Sequence, residues 1–432
     1  MLIIPFSTAV AAQQSDGITW QRGTGEAPAA APTAQMPQAP AVQYDPSEGQ
    51  VPAALQRWKM LSAPGNFSFG EYAAFLMRYP DWPNSDEMRK NAEQAINPLS
   101  LSPSQVVAFF DRLPPLTNAG RARFAIALHA SGDTSRAEAQ ARAAWRGGSL
   151  NDDDEARMFR IAGNRFTSAD HDARVDRLLW SGSTRGAERW IAYTSPQRRP
   201  AFVAALATRL KAADADQKVQ DAGALANSEA TLIAARADSM RSTGNSIGAR
   251  ELLANRANLA APAPVLKDWY QLLLTHAQAA ANDGQYDVAY RIASRVDDAT
   301  PRGLVMVDQD LPTRDRYTSL TWLAGMTAME RLGRPGDAVA MFERYASAAK
   351  SAQTRSKGLH FAGKAAAKAG DQASATRYHE QAAAYYESFF GQLSLEQLRR
   401  PLPPVPRITP AAPVLAEGDV PAVYLAAALA PK

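Results

Sequence analysis

Five histidines, His129, His171, His276, His360 and His379, are the first candidates for chemistry in this 432-residue chain. Zinc hydrolysis wants two of them four apart on one helix with a glutamate beside the first, and no HExxH occurs. His360 and His379 fall in two consecutive helical segments and are placed to approach each other, but no carboxylate accompanies them as a ligand set. All five are therefore expected as core or surface side chains, with no metal site and no catalytic role. A serine nucleophile on a GxSxG turn, a phosphate-binding P-loop and a dinucleotide fingerprint are all missing. The chain has no cysteine, which removes disulfides, thiolate metal sites and thiol nucleophiles. No cofactor is expected.

Carboxylates remain, since glycan cleavage needs one or two of them in a cleft. NDDDEARMF, Asn151 to Phe159, reads as a solvent-facing helix start, with acids complementing the helix dipole. GLVMVDQD, Gly303 to Asp310, is an apolar run ending in two acids between helices. Neither surrounds a glutamate with apolar residues that would keep it protonated as a general acid. On residue chemistry the chain reads as non-enzymatic.

The elements that carry these residues read as helices. Alanine is over-used, which suits closely packed helix backbones and disfavours strands. Net charge is +4 and the charges are interspersed, which argues against nucleic acid as the main partner and tolerates an anionic polymer. Residues 1–12, MLIIPFSTAVAA, resemble the end of a secretory signal peptide with Ala9, Val10 and Ala11 as the cleavage site, or else an apolar N-terminal tag. Residues 13–54 are an Ala/Pro-rich segment with little to bury, expected to be disordered. No segment reads as a transmembrane span.

From 55 to 398 the pattern is helical. Phe69, Tyr72, Phe75, Leu76 and Tyr79 keep helical spacing up to Pro80. Ser85 and Ser102 are expected N-caps, with Pro103 at a first helical position. A unit then recurs: apolar helix, turn with Gly and Asp or Asn, alanine-rich helix. It is read at 121–145, 232–257 and 269–295, and twice between 320 and 386. The glycines suit helix C-caps, and Asp133, Asp337 and Asp371 are placed to cap the helices that follow. Gly333 and Gly370 lie 37 residues apart, a spacing that suits tetratricopeptide-like helical pairs. Tyr286, Tyr290, Phe342, Tyr345 and Tyr378 are expected in the core, and Ala338, Gly363, Ala367 and Ala375 at close helix contacts. The expected fold is all-α, a superhelical array of helical hairpins.

Several stretches together resemble one family. They are NFSFGEYAAFLMRYPDWPNSDEMRKNAEQAI from Asn66, HDARVDRLLWSG from His171, GQYDVAYRIASR, LTWLAGMTAMERLGRPGDAVAMFERY, and HFAGKAAAKAGDQASATRYHEQAAAYYESFFGQL with Tyr386, Phe389, Phe390, Gly391 and Gln392. In order and spacing they are similar to the N-terminal superhelical region of the soluble lytic murein transglycosylases, over roughly residues 55–398. The resemblance implies a periplasmic protein whose helical region orients peptidoglycan glycan strands or supports a lysozyme-like catalytic domain. In that family a single glutamate serves as acid and then base to give an anhydromuramyl product. The family's Glu-Ser followed by Gly-Leu-Met-Gln has no counterpart downstream, because Glu387-Ser388 lies inside the helical motif and only 44 residues follow position 388. No catalytic residue is transferred. Residues 399–432 read as a Pro-rich tail that starts a linker region, with a helix from Val420. Two readings stay open, a truncated member and a homologue that kept the helical part. A repeat scaffold for a protein partner is the alternative to glycan guidance.

Overall fold

The computed structural model describes residues 51–404, which form twenty α-helices and five short 3-10 turns with no strand among them. The signal-like start, the Ala/Pro-rich residues up to 50 and the tail helix from Val420 lie outside the described residues. No helix within them is long and apolar enough to cross a membrane. The all-α expectation holds. Each helix packs chiefly on its neighbours in sequence, which is how an array of hairpins buries its apolar stripes.

Helix α1 (Val51–Ser62) begins four residues before the expected start at Leu55. In α2 (Phe69–Arg78), Phe69, Tyr72, Phe75 and Leu76 form the buried stripe, and Ser68 with Glu71 closes a capping box. Ser85 is the first residue of α3 (Ser85–Ala95) rather than its N-cap, because Asn84 takes the left-handed cap position at φ 62° and the Ser85 hydroxyl turns back to the Trp82 carbonyl. Ser102 is the N-cap residue of α4 (Pro103–Arg112) and Pro103 opens the helix, both as expected, although the Ser102 hydroxyl pairs with Ser104 and makes no cap hydrogen bond.

Hairpins follow: α5 (Asn118–Ala130) with α6 (Thr134–Arg146), the single helix α7 (Asp152–Ala162), α8 (Ser168–Trp180) with α9 (Thr184–Trp190), and α10 (Arg199–Leu210) with α11 (Ala215–Asp221). Next come α12 (Ala230–Ser242) with α13 (Ser246–Asn255) and α14 (Leu266–Asn282) with α15 (Tyr286–Ala293). The last are α16 (Leu311–Glu330) with α17 (Pro335–Ser347), and α18 (Ala352–Lys368) with α19 (Gln372–Ala383), closed by α20 (Phe389–Gln397). All five units read from the sequence are present.

One turn geometry recurs. After the first helix a residue with positive φ reverses the chain, and the next N–H donates to the carbonyl five residues back. This is seen for Asp133 to Leu128 (3.0 Å), Ser183 to Leu178 (2.8 Å), Asn245 to Met240 (2.8 Å), Gln285 to Ala280 (2.8 Å) and Asp371 to Ala366 (2.9 Å). The bond satisfies an end-of-helix carbonyl that would otherwise be unpaired. Glycine supplies the positive φ in these five. In the α10–α11 turn Lys211 does so at φ 54°, which is why that hairpin lacks the sequence signal. Asp133 and Asp371 cap as expected, accepting from Arg136 and Ser374. Asp337 does not: Arg334 holds the cap position, and Asp337 sits in the first turn of α17, 3.3 Å from the Arg334 guanidinium.

The core is built largely from alanine with a few large side chains, Trp145 and Trp269 among them fully enclosed. Phe342 and Tyr378 are core, whereas Tyr286, Tyr290 and Tyr345 are half-buried under cations: Arg334 lies 4.4 Å from the Tyr290 ring centre and Lys357 5.7 Å from that of Tyr345. Ala338 and Ala375 are buried, and a methyl at Gly363 would sit 2.8 Å from the His379 ring. Ala367 faces solvent instead, because α18 turns Ala365 and Ala366 to the core. At the C-terminal end, α20 packs Phe390 on His360 and Phe361, and Gly391 lies so close to the Tyr385 carbonyl that any side chain there would overlap it.

Gly370→Ala forces a methyl into the left-handed turn and is expected to destabilise by about 1 kcal/mol. Gly336→Ala, in open space within a first helical turn, is expected to be neutral or to stabilise by up to about 1 kcal/mol. Urea unfolding of the two variants checks this; equal effects would mean that the turn carries no backbone constraint.

Candidate functional site

A cleft with a volume of about 920 Å³ is assembled from six separate stretches of chain. These are the start of α5 and end of α6, the middle of α8, Arg198 before α10, and the loops at 261–267 and 301–313.

Buried ion pairs hold the walls. The start of α5 is fixed by Glu93, fully enclosed, which accepts from the backbone N–H groups of Leu116 (2.6 Å) and Thr117 (2.7 Å). Arg198 joins three helices: its guanidinium donates to Glu229 (3.0 and 2.7 Å) at the start of α12 and to Asp176 (3.0 Å) on α8. Thr231 donates to the other oxygen of Asp176. Burial opposes the charge on Arg198, but the two carboxylates outweigh it and hold the guanidinium protonated more firmly than usual. Asp176, buried and sharing that guanidinium with Glu229, is pushed above the usual carboxylate range by its burial. Opposite, the loop at 261–267 carries two prolines and is tied down where the Ala263 N–H donates to the Ala299 carbonyl (3.1 Å).

Cations remain once these pairs are counted. Arg121, Arg146, Arg177, Arg198 and Lys267 line the cleft against the single carboxylate of Asp176. Arg198 is neutralised, and Arg146 approaches Asp170 at 3.6 Å. Arg121, Arg177 and Lys267 enter no ion pair or hydrogen bond among the described residues. Arg177 touches solvent, yet the surrounding walls displace enough water to lower its pKa, and the charge of Arg121 lowers it further. Asp176 acts on Arg177 in the opposite direction, but it is itself engaged by Arg198. Like charges held together with so little opposite charge are what an anionic ligand would relieve.

The carboxylates singled out by motif are elsewhere. In NDDDEARMF, Asp152 and Asp153 face solvent, but Asp154 and Glu155 do not; both are buried, against the expectation of a solvated helix start. Glu155 accepts from Arg174, Arg189 (2.7 Å) and the Trp190 indole (3.2 Å). Arg174, itself fully buried, lies 4.1 Å from the Trp145 ring centre and donates to the Gly148 carbonyl (2.6 Å). Glu155 thus braces a joint between helices. GLVMVDQD is a loop before α16, with Asp310 capping that helix through the Thr313 N–H (3.3 Å). It reaches the cleft through Leu304 and Gln309.

His360 and His379 do approach, with ring centres 5.3 Å apart, and flank the buried Ser394 hydroxyl, 2.9 Å from His360 Nδ1. His171 is buried and stacks on Trp190, His129 is exposed, and His276 lines a second, smaller cavity. No group of three or more metal-ligating side chains is brought together among the described residues. Of the cleft residues, Arg177 lies within HDARVDRLLWSG and Arg121 opens the unit read at 121–145, but neither stands out for chemistry, and Lys267 belongs to no motif. The three are far apart in sequence, and nothing in it shows which arginines already have partners. Neither a protein-family model nor a curated relative matches the sequence.

Burial lowers His276 and His360 to about 4, helped by Arg241 and Arg250 at the first and by His379 and Lys364 at the second. Unfolded histidine titrates near 6.5, so the unfolded chain binds more protons between these values. Their contribution to stability is complete above about pH 6.5 and is lost as pH falls towards 4. Thermal unfolding across that window should show a falling Tm, with a shallower slope in His360→Gln. A Tm that rises on acidification would contradict the assignment.

Proposed function

We propose that the helical domain is a non-catalytic scaffold that holds a carboxylate-bearing glycan strand, with peptidoglycan in the bacterial cell envelope as the polymer. The observation that carries the reading is the cleft in which Arg121, Arg177 and Lys267 stand without counter-ions. An open cleft lined by several cations suits a polymer whose carboxylates recur along it, better than a compact substrate. The motif resemblance to the superhelical region of lytic murein transglycosylases supplies the identity of the polymer and the periplasmic setting. A superhelical path of the hairpins, curving around the strand, belongs to the same reading. A second reading has one observation in its favour: Phe389 is 59% exposed on the terminal helix, a foothold for a protein partner.

Sedimentation with purified peptidoglycan distinguishes the two. The wild-type chain should pellet with it in a salt-sensitive manner, since exposed charges are screened. Arg121→Ala combined with Arg177→Ala should weaken binding about a hundredfold, two charge-assisted contacts being worth roughly 3 kcal/mol. Phe389→Ala should leave it unchanged. Muropeptide analysis of the same mixture should show no anhydro products. Undiminished binding by the folded double variant would sink the glycan reading.

A further inference from the structure

A second cavity, of about 290 Å³, lies where α8, α10, α12 and α14 meet. It is separate from the glycan reading above and does not rest on it. Its floor is His276, 2% exposed, whose Nε2 has no hydrogen-bond partner among the described residues. Arg209, at the end of α10, keeps a buried Nε–H that is also without a partner. At the rim stand Arg241 and Asp238 from α12 and Asp268 from α14, all solvent-exposed. Asp268 accepts from the Trp180 indole at 3.2 Å. Neither Arg209 nor Arg241 forms an ion pair among the described residues, although Asp238 is near enough to act on Arg209 through its charge.

The charges sum to zero: two guanidiniums, two carboxylates and a histidine that burial keeps neutral. Opposite charges so close would ordinarily pair with each other. Here they stand apart, with no ion pair formed among them, around an open space large enough for several waters. A simple anion entering would meet two carboxylates, and a simple cation two guanidiniums. A molecule carrying both charges a few ångströms apart satisfies every group at once, and the buried ring nitrogen is left to contact its polar middle.

We infer that this cavity binds a small zwitterion of the amino-acid or short-peptide class, its carboxylate on Arg209 and Arg241 and its ammonium on Asp238 and Asp268. Calorimetric titration of the full chain with the dipeptide alanylalanine, and with acetate and ethylamine as single-charge probes, tests this. The dipeptide is expected to bind at least about tenfold more tightly than either, and Arg241→Gln and Asp268→Asn should each weaken it about tenfold, a charge-assisted hydrogen bond's worth. Both positions are exposed, so the variants should keep their helical circular dichroism. The Arg121→Ala, Arg177→Ala double variant should bind the dipeptide as the wild type does, which separates this site from the cleft. Equal binding of acetate or ethylamine, an absence of dipeptide binding, or dipeptide binding that neither rim variant alters would each overturn the assignment.

Discussion

The guanidinium of Arg198, clasped between Asp176 on one hairpin and Glu229 on the next but one, is the contact on which the middle of the molecule depends. A hairpin of two alanine-rich helices cannot bury its own stripe and must lean on its neighbours. Alanine packs closely but offers little to distinguish one register from another. The buried ion pairs supply that discrimination, because a slipped register would leave a charge enclosed without a partner, a cost of several kcal/mol. The same device recurs where Arg174 meets Glu155 and where Arg256 meets Asp298 at 2.9 Å.

These joints also decide which charges are free. Arginines that serve the joints are neutralised, and those one helical turn away are left facing the cleft. Asp176 and Arg177 are adjacent in sequence, yet the aspartate is enclosed in the joint while the arginine faces open space. The unpaired charge of the cleft is therefore a by-product of how the array is fastened. Further along α8, Trp180 reaches Asp268 across 88 positions of sequence and brings the start of α14 over α8. That crossing sets the cleft and the smaller cavity side by side, with Lys267 in one and Asp268 in the other.

Misreadings of the sequence share a cause. Ser85 and Asp337 have the right side chains for helix caps, but an earlier residue took the cap, Asn84 in the first case and Arg334 in the second. Asp154 and Glu155 resemble solvated first-turn acids until arginines from other segments cover them: Arg123 for the first, Arg174 and Arg189 for the second. Ala367 was legible as a small residue, but its facing depends on the rotation of α18 about its axis. The hairpin closed by Lys211 gave no signal, since nothing local marks a lysine as left-handed.

Legible along the chain were the local features: the helices, the glycine turns between them, the aromatic stripe of α2 and the absence of thiol chemistry. These follow from backbone preferences and periodicity, which act over a few residues. The packing of helices was needed to settle which arginines are paired, which carboxylates are enclosed, and that Arg121, Arg177 and Lys267 share one cleft. Ion pairing depends on distance through space, and residues 56 and 90 positions apart carry no mark in the chain of whether they will meet.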